Sequence, residues 1–200
     1  MFKIILIGAL IGLLIFSIVR KLNLFGSRET VQRLSSPTEI IDISAPLSIY
    51  KTIVQKTLIT VGVGVLVLLI ALFIGSKFKI ALIMLPVSIY LIAQFFVLNN
   101  HIKISRKQHI VYNSITHEVL VKIENQKPQQ FNLLKDVRKI TEVKSVQKNN
   151  GVLFGYYKLE TSTSSYYITY LIAQNLQTKP FFDKIHLFER TVETKLFPII

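Results

Sequence analysis

Three stretches of the chain lack the polar punctuation found everywhere else. Residues 4–19, 57–75 and 80–98 are almost wholly apolar and carry no ionisable side chain in their interiors. A helix rises about 1.5 Å per residue, so about 19 residues cover about 28 Å. That matches a hydrocarbon core of about 30 Å. The pattern predicts three membrane helices, the second and third joined by a tight turn at 75–79 and packed antiparallel. Pro86 predicts a kink in the third span, with Ser88 satisfying freed backbone groups and Gln94 bonding across helices. With no charge inside the spans, nothing there is suited to relay a proton or an ion.

Beyond residue 100 the period falls to two. Val119, Val121 and Ile123 alternate with Leu120, Lys122 and Glu124. The same alternation runs through Val152, Phe154 and Tyr156, and through Tyr166, Ile168, Tyr170 and Ile172. β-Branched and aromatic residues fill these runs, as strands prefer. Asn149-Asn150-Gly151 suits a hairpin tip with positive φ. Residues 125–128 and 161–165 read as further turns, and 134–139 as a turn leading into a strand at 140–147. Phe181, Ile185, Phe188, Val192 and Leu196 are spaced as one face of a helix. Pro180 fits its first turn and Pro198 its end. Residues 22–50 read as a loop with a short helix, and Ile40-Ile41-Asp42-Ile43 as a surface segment.

The expected fold class is therefore membrane α-helical segments plus α+β. The β part is an antiparallel meander or partly open barrel capped by a C-terminal amphipathic helix. The organisation is an anchor helix at 1–19, a cytoplasmic linker at 20–56, a helical hairpin at 57–98, and a cytoplasmic β domain at 101–200. A secretory signal peptide competes for the first run. That run is long for one, and no small-x-small site precedes Arg20 and Lys21, so an uncleaved anchor is expected. Gly8 and Gly12 form a GxxxG pair within it, a candidate for close helix packing.

Charge sets the orientation. The net charge is +13, and half of the 200 residues are hydrophobic. Six Lys or Arg stand against three acidic residues in 20–56, and fifteen against eight in 101–200. The turn between the second and third runs holds only Lys77 and Lys79. Basic residues are retained in the cytoplasm. The N-terminus is thus expected outside, and the linker and β domain inside, in the plasma (inner) membrane. Within the β domain, Lys135, Arg138, Lys139, Lys144 and Lys148 form a basic cluster in sequence, a candidate contact for anionic lipid or a partner. The competing reading is a solvated face retained by topology.

Other chemistry is sparse. There is no Cys, which excludes disulfides, thiolate metal sites and cysteine nucleophiles. His117-Glu118 lacks the second His that a zinc-protease helix needs at position 121, which is Val. Gly62-Val63-Gly64 lacks the third glycine of a dinucleotide fingerprint and lies in a span. His101, His109, His117 and His186 are scattered, so no metal or other cofactor is expected. Tyr156, Tyr157, Tyr166 and Tyr167 suit a sheet core as well as base stacking, and nucleic acid is not an expected partner.

Two stretches carry a resemblance. Phe131-Asn-Leu-Leu-Lys-Asp136-Val137-Arg-Lys-Ile140 and Tyr166-Tyr-Ile-Thr169-Tyr-Leu-Ile172, set after a membrane hairpin, resemble the bacterial pleckstrin-homology-like (PH-like) membrane proteins. The resemblance covers 57–200 and is architectural. It implies a seven-stranded bent barrel with a C-terminal helix, an inner-membrane location and no catalytic residues. Lys103-Ile-Ser-Arg106-Lys107 does not supply the phosphoinositide-binding pattern of pleckstrin domains. The leading expectation is a non-enzymatic membrane protein whose cytoplasmic domain is a protein-interaction or assembly module, contacting itself or another membrane protein. The alternatives are an anionic-lipid-sensing surface module and a membrane enzyme or transporter subunit. Ser88 and Gln94 are too few polar groups between the spans to favour the last.

Overall fold

The computed structural model describes residues 40–146, 148 and 150–200. The first apolar run, the Gly8–Gly12 pair and the linker up to residue 39 lie outside the described residues. The described chain is α+β, with two long apolar helices and two four-stranded sheets. It divides into two units. One holds Thr57–Phe95; the other holds 40–56 and Phe96–Ile200.

Helix α1 is Leu47–Gly75 and helix α2 is Leu85–Lys107, with a 3-10 helix at Lys79–Met84 between them. α1 begins ten residues before the run that predicts it, and α2 begins five residues inside its run and ends nine residues beyond it. The third run is not one helix. Pro86 sits in the first turn of α2, where the 3-10 helix gives way to α-helix and a missing N–H is tolerated. Buried Ser88 donates to the Leu85 carbonyl at 2.8 Å. The helices approach closely within the first unit: a Cβ on Gly64 would lie 2.7 Å from the Leu91 Cβ. Gln94 bonds within its own helix, to the Tyr90 carbonyl at 3.5 Å, and not across helices. α1 and the helical stretch Lys79–Lys107, which is the 3-10 helix with α2, are each long and apolar enough to cross a membrane.

In the second unit, β1 (Ile40–Asp42), β2 (Gln108–Asn113), β3 (Glu118–Ile123) and β4 (Gln129–Asn132) form one antiparallel sheet in that order. The segment read as lying on a surface is an edge strand over Ile40–Asp42, exposed at Ile40 and Asp42. Ile43 beyond it is fully buried. The second sheet has the order β7-β6-β5-β8, from β5 (Val137–Ser145), β6 (Gly155–Thr161), β7 (Ser165–Thr169) and β8 (Arg190–Lys195). β8 runs parallel to β5 and the other pairs are antiparallel. The two sheets do not close into a barrel. Short helices α3 (Tyr170–Ala173) and α4 (Lys179–Ile185) carry the chain from β7 to β8. One core joins both sheets to α4: Ile110, Val121, Ile140, Leu159 and Phe181 all belong to it.

The C-terminal element departs from expectation. The helix stops at Ile185, and a strand occupies Arg190–Lys195 in place of its second half. The helical spacing of Val192 and Leu196 buries neither; they are 51% and 59% exposed. Thr191, Val192 and Thr194 are β-branched and favour the strand, and β5 offers an edge to pair with. The run 166–172 is likewise cut short: its strand ends at Thr169, and Tyr170 opens α3.

Candidate functional site

The five basic candidates do not form one patch. Lys135 lies in the turn after β4, which Asn132 and Asp136 build. The Asn132 side chain accepts from the Leu134 and Lys135 amides, and Asp136 accepts from the Asn132 amide at 2.7 Å. Arg138 and Lys139 are exposed at a bulge that opens β5. Lys144 is half-buried near the other end of that strand, and Lys148 is exposed beyond it. Six strand residues at about 3.3 Å each put about 20 Å between Arg138 and Lys144. The structure therefore groups Lys135 with Arg138 and Lys139, and Lys144 with Lys148.

The second group sits at a rim that the sequence does not announce. Asn150 and Gly151 turn the chain there with φ of 49° and 77°. Asn150 Nδ2 reaches the Lys56 carbonyl at 3.4 Å, and Lys56 Nζ lies 3.9 Å from where a Gly151 Cβ would stand. The Val146 amide donates to the Lys195 carbonyl at 3.2 Å. Residues 196–200 then fold back to α2. Asn100 pairs with Ile200 as a strand would, donating to its carbonyl at 3.1 Å and accepting from its amide at 2.9 Å.

His101 completes this clasp. Its Nε2 lies 2.7 Å from the Pro198 carbonyl. A carbonyl only accepts, so Nε2 carries the hydrogen. The ring is fully buried, 5.6 Å from the Phe154 ring and 6.2 Å from that of Tyr156. Its Nδ1 has no partner among the described residues. Nearby, Tyr50 and Ser105 share a 2.5 Å hydroxyl bond, and the Arg106 guanidinium lies 5.5 Å over the Tyr50 ring.

A polar chain crosses the second sheet. Arg190 donates to Glu142 at 2.9 Å, and the Tyr170 hydroxyl donates to the other Glu142 oxygen. Tyr157 stacks at an angle on Tyr170 and shares a 3.0 Å bond with His186. Burial, then the hydrogen bond to Glu142, pushes the Tyr170 hydroxyl above its ordinary range; burial, then the Glu142 charge, raises Tyr157. Both phenols stay protonated near neutrality, and Tyr170 donates to Glu142. The chain thus fastens β8 and α3 to β5.

The remaining histidines have local partners. His117, at φ 59°, shares a 2.9 Å bond with Tyr112, and His109 lies 3.4 Å from Asp42. Among the described residues, no three His, Cys, Asp or Glu side chains converge on a metal position. A half-open cleft of about 180 Å³ is lined by Ile104, Ile123, Tyr166, Tyr167 and Ile200, with Lys107 as its cation. Sequence reasoning missed the Asn100–His101 clasp and the Glu142 chain. The Asn99-Asn100-His101 triplet that closes the third run was the available signal for the first. Comparison of the chain with family models, curated proteins and solved structures finds no match.

Proposed function

We propose that this chain is a non-enzymatic integral membrane protein whose β unit is a protein-interaction or assembly module on the cytoplasmic face. The observation that carries the reading is the bareness of the helices. Only 28% and 22% of the most apolar stretches of the two helices are buried. Leu66, Phe73, Ile80 and Ile83 are 58%, 57%, 77% and 67% exposed. In water such a surface is far larger than soluble monomers leave bare; in lipid it is ordinary. Charge supports the orientation. Lys51, Lys56, Lys103, Arg106 and Lys107 flank one end of the two apolar runs, and Lys77 with Lys79 the other.

The fold part of the proposal is a PH-like module. Two sheets rich in antiparallel pairs are in keeping with it; the parallel β8 and the helix that precedes it are departures. The test has two stages. Carbonate washing of membranes leaves the full chain in the pellet, and a protease added outside intact cells spares residues beyond 101. Crosslinking in those membranes, read by mass spectrometry, then yields a dimer or a defined partner. Release by carbonate overturns the membrane reading, and recovery of monomer alone overturns the assembly role.

A further inference from the structure

Two sets of contacts, both within the second unit, tie the rim to residues that adjoin the apolar runs in the chain. Asn150 and Gly151, at the β5–β6 hairpin tip, meet Lys56, the residue just before the second apolar run. Residues 198–200 are clasped by Asn100 and His101, two to three residues after the third run ends at Leu98. At about 1.5 Å of helix rise per residue, that is about 3–5 Å beyond the apolar run. Lys56 and Asn100 both belong to the second unit, as do the hairpin tip and residues 196–200.

The side chains at this level are not those of a water-facing loop. Val146, Leu196 and Ile199 are 58%, 59% and 53% exposed. The Val146 amide bonds the Lys195 carbonyl, which holds the hairpin and the 196–200 segment together. Exposed Lys148 and Lys195 are interleaved with them, Lys195 lying 3.5 Å from Glu193. Apolar side chains beside lysines, on segments bonded to residues that adjoin the apolar runs in the chain, is the composition of an interfacial anchor. Lys135, Arg138 and Lys139 stand at the far end of β5, about 20 Å from Lys144.

The geometry points to this rim as a lipid-contact surface. Val146, Leu196 and Ile199 enter the headgroup layer of the cytoplasmic leaflet, and Lys148 and Lys195 meet the phosphate oxygens of anionic lipid. The inference rests on the membrane reading above and adds to it that residues 196–200 are an interfacial element. It also divides the basic candidates: Lys148, with half-buried Lys144 behind it, faces lipid, and Lys135, Arg138 and Lys139 do not.

The chain has no Trp, so a single introduced one reports its own surroundings. The full-length variants L196W and I199W probe the rim, F73W the apolar run, and L187W, at a 76% exposed position, the water side. Each is reconstituted into phosphatidylcholine–phosphatidylglycerol vesicles with and without bromine near the top of the acyl chain. Iodide is the aqueous quencher. L196W and I199W are quenched at least twofold more by bromolipid than L187W, which iodide quenches instead. Adding K148E and K195E reduces bromolipid quenching of I199W at least twofold. Quenching of F73W by bromolipid while both rim probes answer only to iodide overturns the inference and leaves the membrane reading standing. Rim probes shielded from both reagents, as in a contact with a second copy, overturn it as well. F73W escaping bromolipid overturns the membrane reading, and the inference with it.

Discussion

Gly155 opens β6 opposite Lys144, and its place has no room for a methyl group. A Cβ there would lie 2.7 Å from the Val143 carbonyl oxygen and 2.7 Å from Cε2 of Tyr170. The ring of Tyr170 lies where a side chain would otherwise stand. Gly155→Ala therefore does two things. It overpacks the strand against backbone, which costs about 1–3 kcal/mol. It also pushes the Tyr170 ring, and with it the hydroxyl that donates to Glu142. A hydrogen bond to a charged group is worth about 1.5–3 kcal/mol. Together the loss is about 3–5 kcal/mol, and at about 2–4 °C per kcal/mol for a chain of this size the midpoint falls by about 10 °C. Thermal unfolding of the full chain in detergent, followed by near-ultraviolet circular dichroism of its tyrosines, reads this. Tyr170→Phe separates the two terms, because it removes the hydroxyl and keeps the ring. In that background Gly155→Ala retains only the steric loss, so the double mutant is less destabilised than the sum by about 1.5–3 kcal/mol. Strict additivity, or a midpoint unmoved by Gly155→Ala alone, refutes the coupling.

Leu159 is fully buried between both sheets, and Leu159→Ala is expected to lose about 2–5 kcal/mol in denaturant unfolding, while Ile115→Ala at a 63% exposed turn position loses almost nothing; equal effects would contradict the placement of the core. Gly151 has φ 77°, so Gly151→Ala costs about 1 kcal/mol in denaturant unfolding, whereas Asn150→Gly in the same turn costs less, because relief of φ 49° offsets loss of the exposed 3.4 Å bond to the Lys56 carbonyl. Burial raises the hydroxyls of Tyr112, Tyr156, Tyr157 and Tyr170 above their ordinary value. A folded-state value above the unfolded one means stabilisation that is complete below about pH 10 and lost as pH climbs through the raised values. Tyrosinate absorbance should thus show a group of tyrosines that titrates late in the folded protein and rejoins the rest in denaturant. All tyrosines ionising together while circular dichroism stays native would count against it.

The legible parts of this fold are those governed by local periodicity. Val119 and Val121 alternate inward along β3 as their spacing requires, and Asn150-Gly151 turns with both φ values positive. The turn read at 134–139 is there but ends at Asp136, where Asn132 and Asp136 cap it through bonds of short sequence range, and the strand read at 140–147 is β5 at Val137–Ser145. The two long helices follow from length and apolarity alone. What stayed hidden depends on distant pairing. β1 is three residues long and becomes a strand only because β2, about 70 residues away, supplies partners. β8 reads as a helix face in isolation; the open edge of β5 decides otherwise. The Asn100–Ile200 and His101–Pro198 bonds cross about 100 residues and use backbone carbonyls, which no side-chain motif advertises. The basic cluster shows the opposite failure. Closeness in sequence suggested one patch, and an extended strand pulls its members to opposite ends.

β8 gains little from burial. Five of its six residues are exposed, and its outer edge pairs with no strand among the described residues. Its attachment therefore lies in its hydrogen bonds to β5 and in what grips it on either side. At its start, Arg190 holds Glu142, itself held by Tyr170. Past its end, Asn100 and His101 clasp residues 198–200. The first grip is tied to the core shared by the two sheets and α4, because Tyr170 packs against it and its ring lies 5.2 Å from that of the core residue Tyr157; the second holds the segment beyond β8 to the end of α2. The core sets whether the β unit folds, and the two grips set whether Leu196 and Ile199 are presented at the rim.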